Sequence, residues 1–326
     1  MKRFLIARLS ALGDVACTLP AANYLKSVFP DCEITWAVDP RFAAVPRACR
    51  AVDHVITVKP SLTKWPRIEA PPEGFDAAFD LQGLLKSALC VGRARAKVKL
   101  GYHWQREGAM LFSARVMPDP SSHHIVDQYV DVVRAYAATL DLSEEPPTAF
   151  GLVPAEADIL SVRQKLKAIG VSGRFAVMNG GAGWVSKRWP TGHFGALIRG
   201  VRELGLSTVL LGGPSPDDRA VADEIRTRAG DCFSLVGETS VGELIALIRL
   251  SSVHVGGDTG STHLAAAMEI PAVGLYSITR PQRSCPYGQI DRCLYAPTGL
   301  ADITPEAVLA QVARAVTPSR DDIPAH

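Results

Sequence analysis

Short apolar runs alternate with amphipathic segments along the whole chain. Uninterrupted apolar runs are typical of buried strands, whereas apolar positions spaced three and four residues apart are typical of helices. The predicted strands are residues 4–9, 33–38, 54–57, 76–80, 175–178, 208–211, 233–235, 253–255 and 272–276. The predicted helices are residues 84–94, 194–204, 217–229 and 241–250, with one more that follows a loop at 10–13 and ends near Phe29. Continuous apolar strands between such helices favour parallel sheets covered on both faces.

A polar stretch with three prolines, residues 143–154, divides the chain into halves of similar size and similar strand–helix rhythm. A length of 326 residues also favours about two domains. The halves share this rhythm but no sequence repeat. We therefore predict an α/β protein of two facing Rossmann-like domains. In such sheets, Gly-rich turns at the carboxyl ends of the strands are where ligands bind.

Composition limits what the chain can bind. Hydrophobic residues make up 47% and charged residues 21%, as in ordinary globular proteins, and the formal charge of +2 gives no basic excess for nucleic acid. No apolar run approaches the roughly 18 residues of a membrane span, and the first run is too short for a signal peptide. The seven cysteines are odd in number and lack CxxC spacing, which favours free thiols in a reducing cytosol.

The most informative stretch is residues 255–267, where a β-branched run ends at two glycines before an Ala-rich helix. Such a turn leaves the first N–H groups of the helix without partners, at the positive end of its dipole. Asp258, Thr259 and Gly260 therefore fit a phosphate or diphosphate site. The same spacing also fits a tight turn with a Ser/Thr cap. His263 is by itself more typical of a helical histidine than of a ligand, but its neighbours Asp258 and Thr259 favour a role in the site.

A second polar turn, with Ser10, Gly13 and Asp14, follows the first predicted strand. Asp14 places a carboxylate at the carboxyl end of that strand, which faces the predicted cleft. An aspartate in the first turn of a helix is also a common helix-stabilising acid, so the position alone leaves both interpretations open.

A third polar turn follows the strand at 76–80 and opens a helix. Asp80 and Gln82 can hydrogen-bond a polyhydroxylated substrate, and Lys86 supplies a cation one turn into the helix. A capped helix with a solvated lysine is the alternative interpretation of this turn.

A Gly-rich loop after the strand at 175–178 contains Gly180 and Gly181 and leads to the adjacent cations Lys187 and Arg188. Glycines and cations together suit a diphosphate, and a fixed cation stabilises the negative charge that grows on a departing diphosphate. An exposed basic loop is the alternative. Acids and histidines do not cluster at metal-ligand spacings, and neither a GxSxG elbow nor a Walker lysine motif is present.

Taken together, these segments resemble the bacterial lipopolysaccharide heptosyltransferases of glycosyltransferase family nine, and most closely the members that add the first heptose (heptosyltransferase I). The resemblance follows the order of the family's motifs from about residue 3 to residue 290. The matching segments are residues 10–15 with 18–20, 79–88, 101–104, 123–128, 187–190, 256–267, 279–281 and 286–288.

The resemblance implies the GT-B fold, with two facing Rossmann-like domains. Residues 1–153 would bind the acceptor, residues 154–303 the nucleotide sugar, and residues 304–326 would form a helix that crosses back to the first domain, plus a tail. The implied reaction is metal-independent, inverting transfer of L-glycero-D-manno-heptose from ADP-heptose to a Kdo sugar of lipid A–Kdo. The nucleotide sugar is a substrate, and no further cofactor is implied.

The resemblance also assigns roles to individual residues. Asp14 matches the general base, and Lys187 matches a catalytic lysine near the donor phosphates. The donor-binding positions are Gly180, Gly181, Lys187, Asp258, Thr259, Gly260 and His263. The acceptor-binding positions are Ser10, Gly13, Lys64, Asp80, Gln82, Lys86 and His123. A lipid acceptor implies a cytoplasmic enzyme with peripheral contact to the inner face of the inner membrane, through local basic residues such as Lys97, Lys99 and Arg106.

The chain departs from heptosyltransferase I in two places. Residues 58–75 are shorter and less basic than their counterpart, which bears on the identity of the acceptor. Residues 180–183 are three glycines and an alanine where the family members have neighbouring threonines. Three alternatives therefore stay open: a family-nine transferase with a different sugar donor or acceptor, a non-catalytic nucleotide-sugar-binding protein, and a nucleotide-sugar 2-epimerase.

Overall fold

A computed structural model describes residues 1–59, 73–181 and 188–317. The chain divides into two compact units, Met1–Val153 and a second unit that begins at Pro154. In the described residues each unit contains one six-stranded sheet, and every strand pair in it is parallel. The predicted α/β class with parallel sheets is confirmed. None of the described helices is long and apolar enough to cross a bilayer.

In the first unit the strand order is β3-β2-β1-β4-β5-β6. Its strands are β1 (Arg3–Ala7), β2 (Glu33–Val38), β3 (His54–Thr57), β4 (Phe75–Asp80), β5 (Ala96–Tyr102) and β6 (Ala114–Val116). Its helices are α1 (Leu12–Val28), α2 (Ala44–Arg47), α3 (Leu85–Arg93) and α4 (Ile125–Ala138), with short 3-10 turns at Pro40–Phe42 and Ala109–Leu111.

In the second unit the strand order is β12-β11-β10-β7-β8-β9. Its strands are β7 (Phe175–Asn179), β8 (Ser207–Leu211), β9 (Phe233–Ser234), β10 (Val253–Gly257), β11 (Ala272–Tyr276) and β12 (Cys293–Tyr295). Its helices are α5 (Glu156–Ala168), α6 (Thr191–Glu203), α7 (Pro216–Ala229), α8 (Val241–Leu250), α9 (Gly260–Ala267), α10 (Pro281–Ser284) and α11 (Pro305–Val316).

Both sheets have the Rossmann strand order, in which the direction of the connections reverses at the middle of the sheet. The reversal falls between β1 and β4 in the first unit, where Ala7 is opposite Asp80. It falls between β7 and β10 in the second unit, where Asn179 is opposite Gly256. The loops after these paired strands leave in opposite directions, which opens a crevice at the carboxyl end of each sheet.

Aromatic packing stabilises the central strands of the first unit. Phe4 on β1 contacts Phe29 and Tyr136 with ring centroids 5.3 and 5.4 Å apart, and Phe79 on β4 lies 6.0 Å from Phe4. Tilted and edge-on ring pairs at these distances add to the stabilisation from burial itself. The strands that carry the turn residues are therefore rigidly held.

The C-terminal segment packs onto the core of the second unit. Helix α11 packs on α6, β10 and β11, and its Val308 and Val312 are fully buried. Trp189 is also buried, and its indole N–H donates to the Ile303 carbonyl at 2.8 Å. The crossing of residues 304–326 to the first domain stays a prediction.

The described structure differs from the predicted elements mainly near strand ends and sheet edges. Strand β1 ends at Ala7 instead of residue 9, because the Leu9 N–H is accepted by the side chain of Gln82 and not by a neighbouring strand. Strands β5, β6 and β12 were not predicted, and β12 is an edge strand of three residues. Lys97 and Lys99 interrupt the apolar character of β5, and β6 is a three-residue edge strand.

Candidate functional site

In the first unit, one side chain joins the two loops of the crevice. The Gln82 Oε1 atom accepts the N–H of Leu9 at 2.8 Å and that of Ser10 at 3.3 Å. These bonds take the place of ladder bonds where β1 ends, so they hold the turn into α1 in a fixed position next to the β4 turn.

Asp80 is the buried support of this arrangement. Its side chain is fully buried, and Oδ1 accepts the N–H groups of Gln82 at 3.1 Å and Gly83 at 2.9 Å. Burial raises the pKa of the carboxyl group. Asp80 has no exposed surface in this structure, and it supports the turn that carries Gln82. Its predicted contact with an acceptor stays a prediction.

Asp14 presents a carboxylate at the edge of the crevice. It lies in the first turn of α1, and Oδ2 accepts the Ala11 N–H at 3.3 Å. Its Oδ1 lies 2.9 Å from Nη2 of Arg8, and 48% of the Asp14 side chain is exposed. The carboxylate is thus held by the buried Arg8 and remains half-exposed to solvent, which is the arrangement that a proton acceptor needs.

Arg8 is a buried cation beneath Asp14, with only 5% of its surface exposed. Its Nη1 donates to the Leu81 carbonyl, and its guanidinium carbon lies 4.9 Å from the centroid of the Tyr129 ring. The buried Nε has no hydrogen-bond partner among the described residues. A buried charge is costly unless it is paired, and Asp14 is the carboxylate that pairs with it.

In the second unit, α9 begins directly at the turn after β10. Thr259 precedes its first residue, Gly260, but the Thr259 side chain does not cap the helix. The Thr259 carbonyl accepts the Thr262 N–H at 3.1 Å. The N–H groups of Gly260 and Ser261 stand at the positive end of the helix, where an anion is stabilised.

Asn179 ties the β7 loop to this turn. Its Nδ2 donates to Thr259 Oγ1 at 3.2 Å and to Ser261 Oγ at 2.9 Å, and its Oδ1 accepts the Gly181 N–H at 3.0 Å. A Cβ atom at Gly181 would lie 2.5 Å from Asp218 Oδ1. A side chain at position 181 would therefore require the Asp218 carboxylate to move.

His254 lies beneath the same turn. It is fully buried on β10, and its Nε2 lies 3.0 Å from Ser261 Oγ. Burial, with a smaller effect of His263, lowers the pKa of His254 to about 3, so its ring is neutral at neutral pH. Ser261 Oγ also lies 3.1 Å from Thr259 Oγ1. The hydroxyls of the turn are therefore held by a buried imidazole and an amide.

The rim of the turn combines an acid and a histidine. Asp258 Oδ1 lies 3.5 Å from His263 Nε2, and the two side chains are 20% and 10% exposed. Within the described ranges, no group of three or more His, Cys, Asp or Glu side chains is arranged to hold a metal ion.

Comparison with known proteins identifies the family. The family model described as glycosyltransferase family 9 (heptosyltransferase) matches residues 72–305. The chain belongs to glycosyltransferase family 9. This family 9 enzyme is a glycosyltransferase, and the resemblance found in its motifs is confirmed.

Two curated relatives of this family 9 enzyme are lipopolysaccharide heptosyltransferase 1 proteins. The protein from Escherichia coli K12 is 30% identical, covering 95% of this chain and 99% of its own, and that from Salmonella typhimurium is 29% identical with the same coverage. A solved structure of E. coli heptosyltransferase WaaC with ADP is 25% identical, with a TM-score of 0.75, and covers 96% of this chain and 99% of that chain.

The structure of this family 9 enzyme groups the predicted residues within each unit. In the first unit, Ser10, Asp14 and Gln82 meet at the crevice, and Gly13 is buried in α1. Lys86 and His123 are exposed on α3 and before α4. In the second unit, the residues gathered at the crevice are Gly180, Gly181, Asp258, Thr259, Gly260 and His263. Lys64 and Lys187 lie outside the described residues.

Sequence reasoning missed four residues of these two crevices: Arg8, Asn179, His254 and Ser261. Arg8 carried a usable signal, since a charged residue at the end of an apolar run must find a partner where the strand ends. Asn179 directly follows a predicted strand. His254 and Ser261 carried no comparable signal, because the hydrogen bond between them depends on the exact path of the turn.

Proposed function

We propose that this enzyme transfers L-glycero-D-manno-heptose from ADP-heptose to a Kdo residue of lipid A–Kdo in the synthesis of the lipopolysaccharide inner core. Membership of the family and two nearly full-length relatives named lipopolysaccharide heptosyltransferase 1 support this reaction. The related structure solved with ADP supports an adenine nucleotide as the leaving group.

Asp14 is proposed as the general base. In the reaction, a hydroxyl of the acceptor attacks the anomeric carbon of the heptose, loses its proton to the Asp14 carboxylate, and displaces ADP from the opposite face. One base and one displacement give inversion at the anomeric carbon. The half-exposed carboxylate fixed by Arg8 is the observation that carries this proposal.

The turn from β10 into α9 is proposed to hold the diphosphate of the donor. The N–H groups of Gly260 and Ser261 and the hydroxyl of Thr259 provide hydrogen-bond donors next to the positive end of α9. Negative charge on ADP grows as the glycosidic bond breaks, so donors already in place lower the barrier. Lys187 is proposed to add a cation to the same diphosphate, and metal-independent catalysis requires such a substitute for a divalent ion.

The remaining predicted residues complete the proposal. Gly180, Gly181, Asp258 and His263 would contact the nucleotide sugar. Ser10, Gln82 and Lys86, with Lys64 and His123, would contact the anionic acceptor. Because that acceptor is a lipid, the enzyme would work in peripheral contact with the inner face of the inner membrane.

The reaction is tested by a donor and acceptor panel. ADP release from ADP-heptose is measured with and without lipid A–Kdo, with and without a chelator, and the anomeric configuration of the product is determined by NMR. The proposal expects acceptor-dependent release, unaffected by the chelator, and an inverted product. Turnover only with another sugar nucleotide would replace the donor, and binding without turnover would indicate a nucleotide-sugar-binding protein.

A further inference from the structure

One edge of the first unit exposes several large apolar side chains next to each other. Leu111 has 82% of its surface exposed, Met110 has 55% and Trp104 has 51%. Single exposed apolar residues are normal, but several on one short loop mark an interaction surface. We call this surface the α3 edge, and define it by the apolar residues Leu85, Trp104, Met110 and Leu111 and the cations Lys86, Arg93, Arg106 and Arg115.

The backbone holds these side chains outward. Ala109 is fully buried in the same 3-10 turn as Met110 and Leu111, which therefore remain outside. The Phe112 ring packs against Gly92 of α3, and a Cβ atom at Gly92 would lie only 2.4 Å from Phe112 Cδ1. The turn is thus docked on α3, and the exposed side chains are a built feature of the unit.

The α3 edge also lies in a basic stretch of the chain, which contributes its four cations Lys86, Arg93, Arg106 and Arg115. Residues 85–117 contain seven lysines and arginines and one acidic residue, Glu107, whereas the whole chain has a net charge of +2. Six of the seven cations are exposed. The carboxylate of Glu107 accepts the Leu85 N–H at 3.2 Å, and the guanidinium carbon of Arg106 lies 5.6 Å from the Trp104 ring centroid. Tryptophan, arginine and exposed aliphatic side chains together are typical of proteins that sit at a bilayer interface.

The α3 edge adjoins the crevice of the first unit. The Arg106 N–H donates to the Gly83 carbonyl at 2.8 Å, and Gly83 follows Gln82, which holds the turn before Asp14. A surface bound to lipid at this edge would bring the sugar of a lipid-linked acceptor next to the crevice.

We propose that the α3 edge docks on a bilayer that contains anionic phospholipid, with Leu111 and Met110 inserted among the lipids and the cations on their headgroups. The proposal rests on the proposed function, because a lipid-linked acceptor is what requires the enzyme at a bilayer. One cation near an anionic surface contributes about fivefold to binding, and one inserted leucine about tenfold.

Binding is measured by sedimentation of the full chain with vesicles of phosphatidylcholine alone and of phosphatidylcholine with phosphatidylglycerol. Neither donor nor acceptor is present. We expect binding only to the anionic vesicles, and weaker binding at high salt because the headgroup contacts are screened. Leu111→Ser is expected to weaken binding about tenfold and Arg115→Gln about fivefold. The matched controls, Leu160→Ser and Arg202→Gln, change exposed residues of the second unit and are expected to bind like the wild type.

Equal binding of wild type and Leu111→Ser, or equal loss in the controls, would overturn the proposal. So would a dimer in sedimentation velocity that Leu111→Ser abolishes while vesicle binding persists, because the surface would then serve a second copy of the chain. Turnover on a water-soluble Kdo acceptor separates the two claims. Leu111→Ser is expected to retain wild-type turnover there, and a wild type that binds vesicles but lacks this turnover would contradict the proposed function alone.

Discussion

The Arg8 guanidinium lies 2.9 Å from the Asp14 carboxylate, and the two groups differ sharply in exposure. The arginine side chain is 6% exposed and the aspartate side chain 48%. The buried partner therefore fixes the exposed one. Arg8 is in turn fixed by the Leu81 carbonyl and the Tyr129 ring, which leaves it little freedom to follow a moving carboxylate.

Replacement of Arg8 is expected to slow turnover without weakening the binding of the sugar donor. Arg8→Met leaves Asp14 without its anchor, and a base displaced by about 1 Å costs on the order of a hundredfold in kcat. The KM for ADP-heptose is expected to stay within about twofold. Arg8→Lys keeps the charge but loses the planar fork, so it is expected to recover part of kcat. Steady-state kinetics of both variants measure this split. A rise in donor KM with unchanged kcat would show that Arg8 does not act through Asp14.

Removal of the Ser261 hydroxyl is expected to destabilise the second unit and weaken ADP binding. Ser261→Ala leaves the buried Nε2 of His254 without its partner, which costs about 1–3 kcal/mol. Ser261→Ala combined with His254→Phe removes both polar groups, so the double variant is expected to lose less than the sum of the single losses. Urea unfolding of the four proteins and calorimetric titration with ADP give the coupling. Strictly additive losses would mean that the two residues do not interact.

His254 is expected to make stability depend on pH. Its pKa is about 3 in the folded protein and about 6.5 in the unfolded chain, so below pH 6.5 only the unfolded chain takes up the proton. The free energy of unfolding is therefore expected to fall as the pH drops from 6.5 towards 3, by up to about 1.4 kcal/mol per unit.

The variant His254→Gln keeps a hydrogen-bonding side chain but removes the titration. Between pH 7 and pH 5 it is expected to lose about 2 kcal/mol less than the wild type in urea unfolding. His54→Gln, which changes an exposed histidine on β3, serves as the control and is expected to behave like the wild type. An identical pH dependence of all three proteins would rule out a neutral, buried His254.

A side chain at Gly256 is expected to disturb the donor turn. The Cβ of Gly256→Ala would lie 2.9 Å from His254 Cε1 and 3.3 Å from Asn179 Cβ, and such overpacking typically costs 1–3 kcal/mol. The variant is expected to bind ADP more weakly as the turn shifts. Gly192→Ala is the matched control, because its Cβ would meet nothing closer than 3.9 Å. Thermal unfolding and ADP titration compare the stability and the ADP affinity of the two variants. Wild-type stability and affinity in Gly256→Ala would show that the turn accommodates a Cβ atom without shifting.

The sequence predicted the features that local chemistry determines. Gly256 and Gly260 between a strand and a helix, and Asp14 after the first strand, predicted turns at carboxyl ends of parallel strands, and the structure has turns there. The interactions between distant segments could not be predicted. Gln82 holds Leu9 across 73 residues of sequence, and Asn179 holds Ser261 across 82. Such pairs depend on which strands become neighbours, and the strand order is a property of the whole sheet.

Burial also separates the roles of neighbouring polar residues in a way that the sequence does not reveal. The sequence alone does not distinguish Asp80 from Gln82, because both are polar residues at the end of a predicted strand. In the structure, Asp80 is fully buried and Gln82 is partly exposed. The difference arises because the Asp80 carboxylate accepts the N–H groups of the turn that follows it, which draws it beneath the surface. Spacing along a chain does not reveal which of two neighbouring polar groups the fold uses internally.

Acceptor-dependent ADP release by the wild type and by Asp14→Asn tests the central claim most directly. The wild type is expected to release ADP from ADP-heptose only when lipid A–Kdo is present. Asp14→Asn is expected to bind ADP within about twofold of the wild type but to turn over about 100 to 10,000 times more slowly, because an amide cannot accept the proton of the attacking hydroxyl. Asp31→Asn, which changes an exposed carboxylate before β2, is expected to keep wild-type activity. Near-normal transfer by Asp14→Asn would contradict the role of Asp14 as the general base, and no acceptor-dependent release by the wild type would contradict the proposed heptosyl transfer.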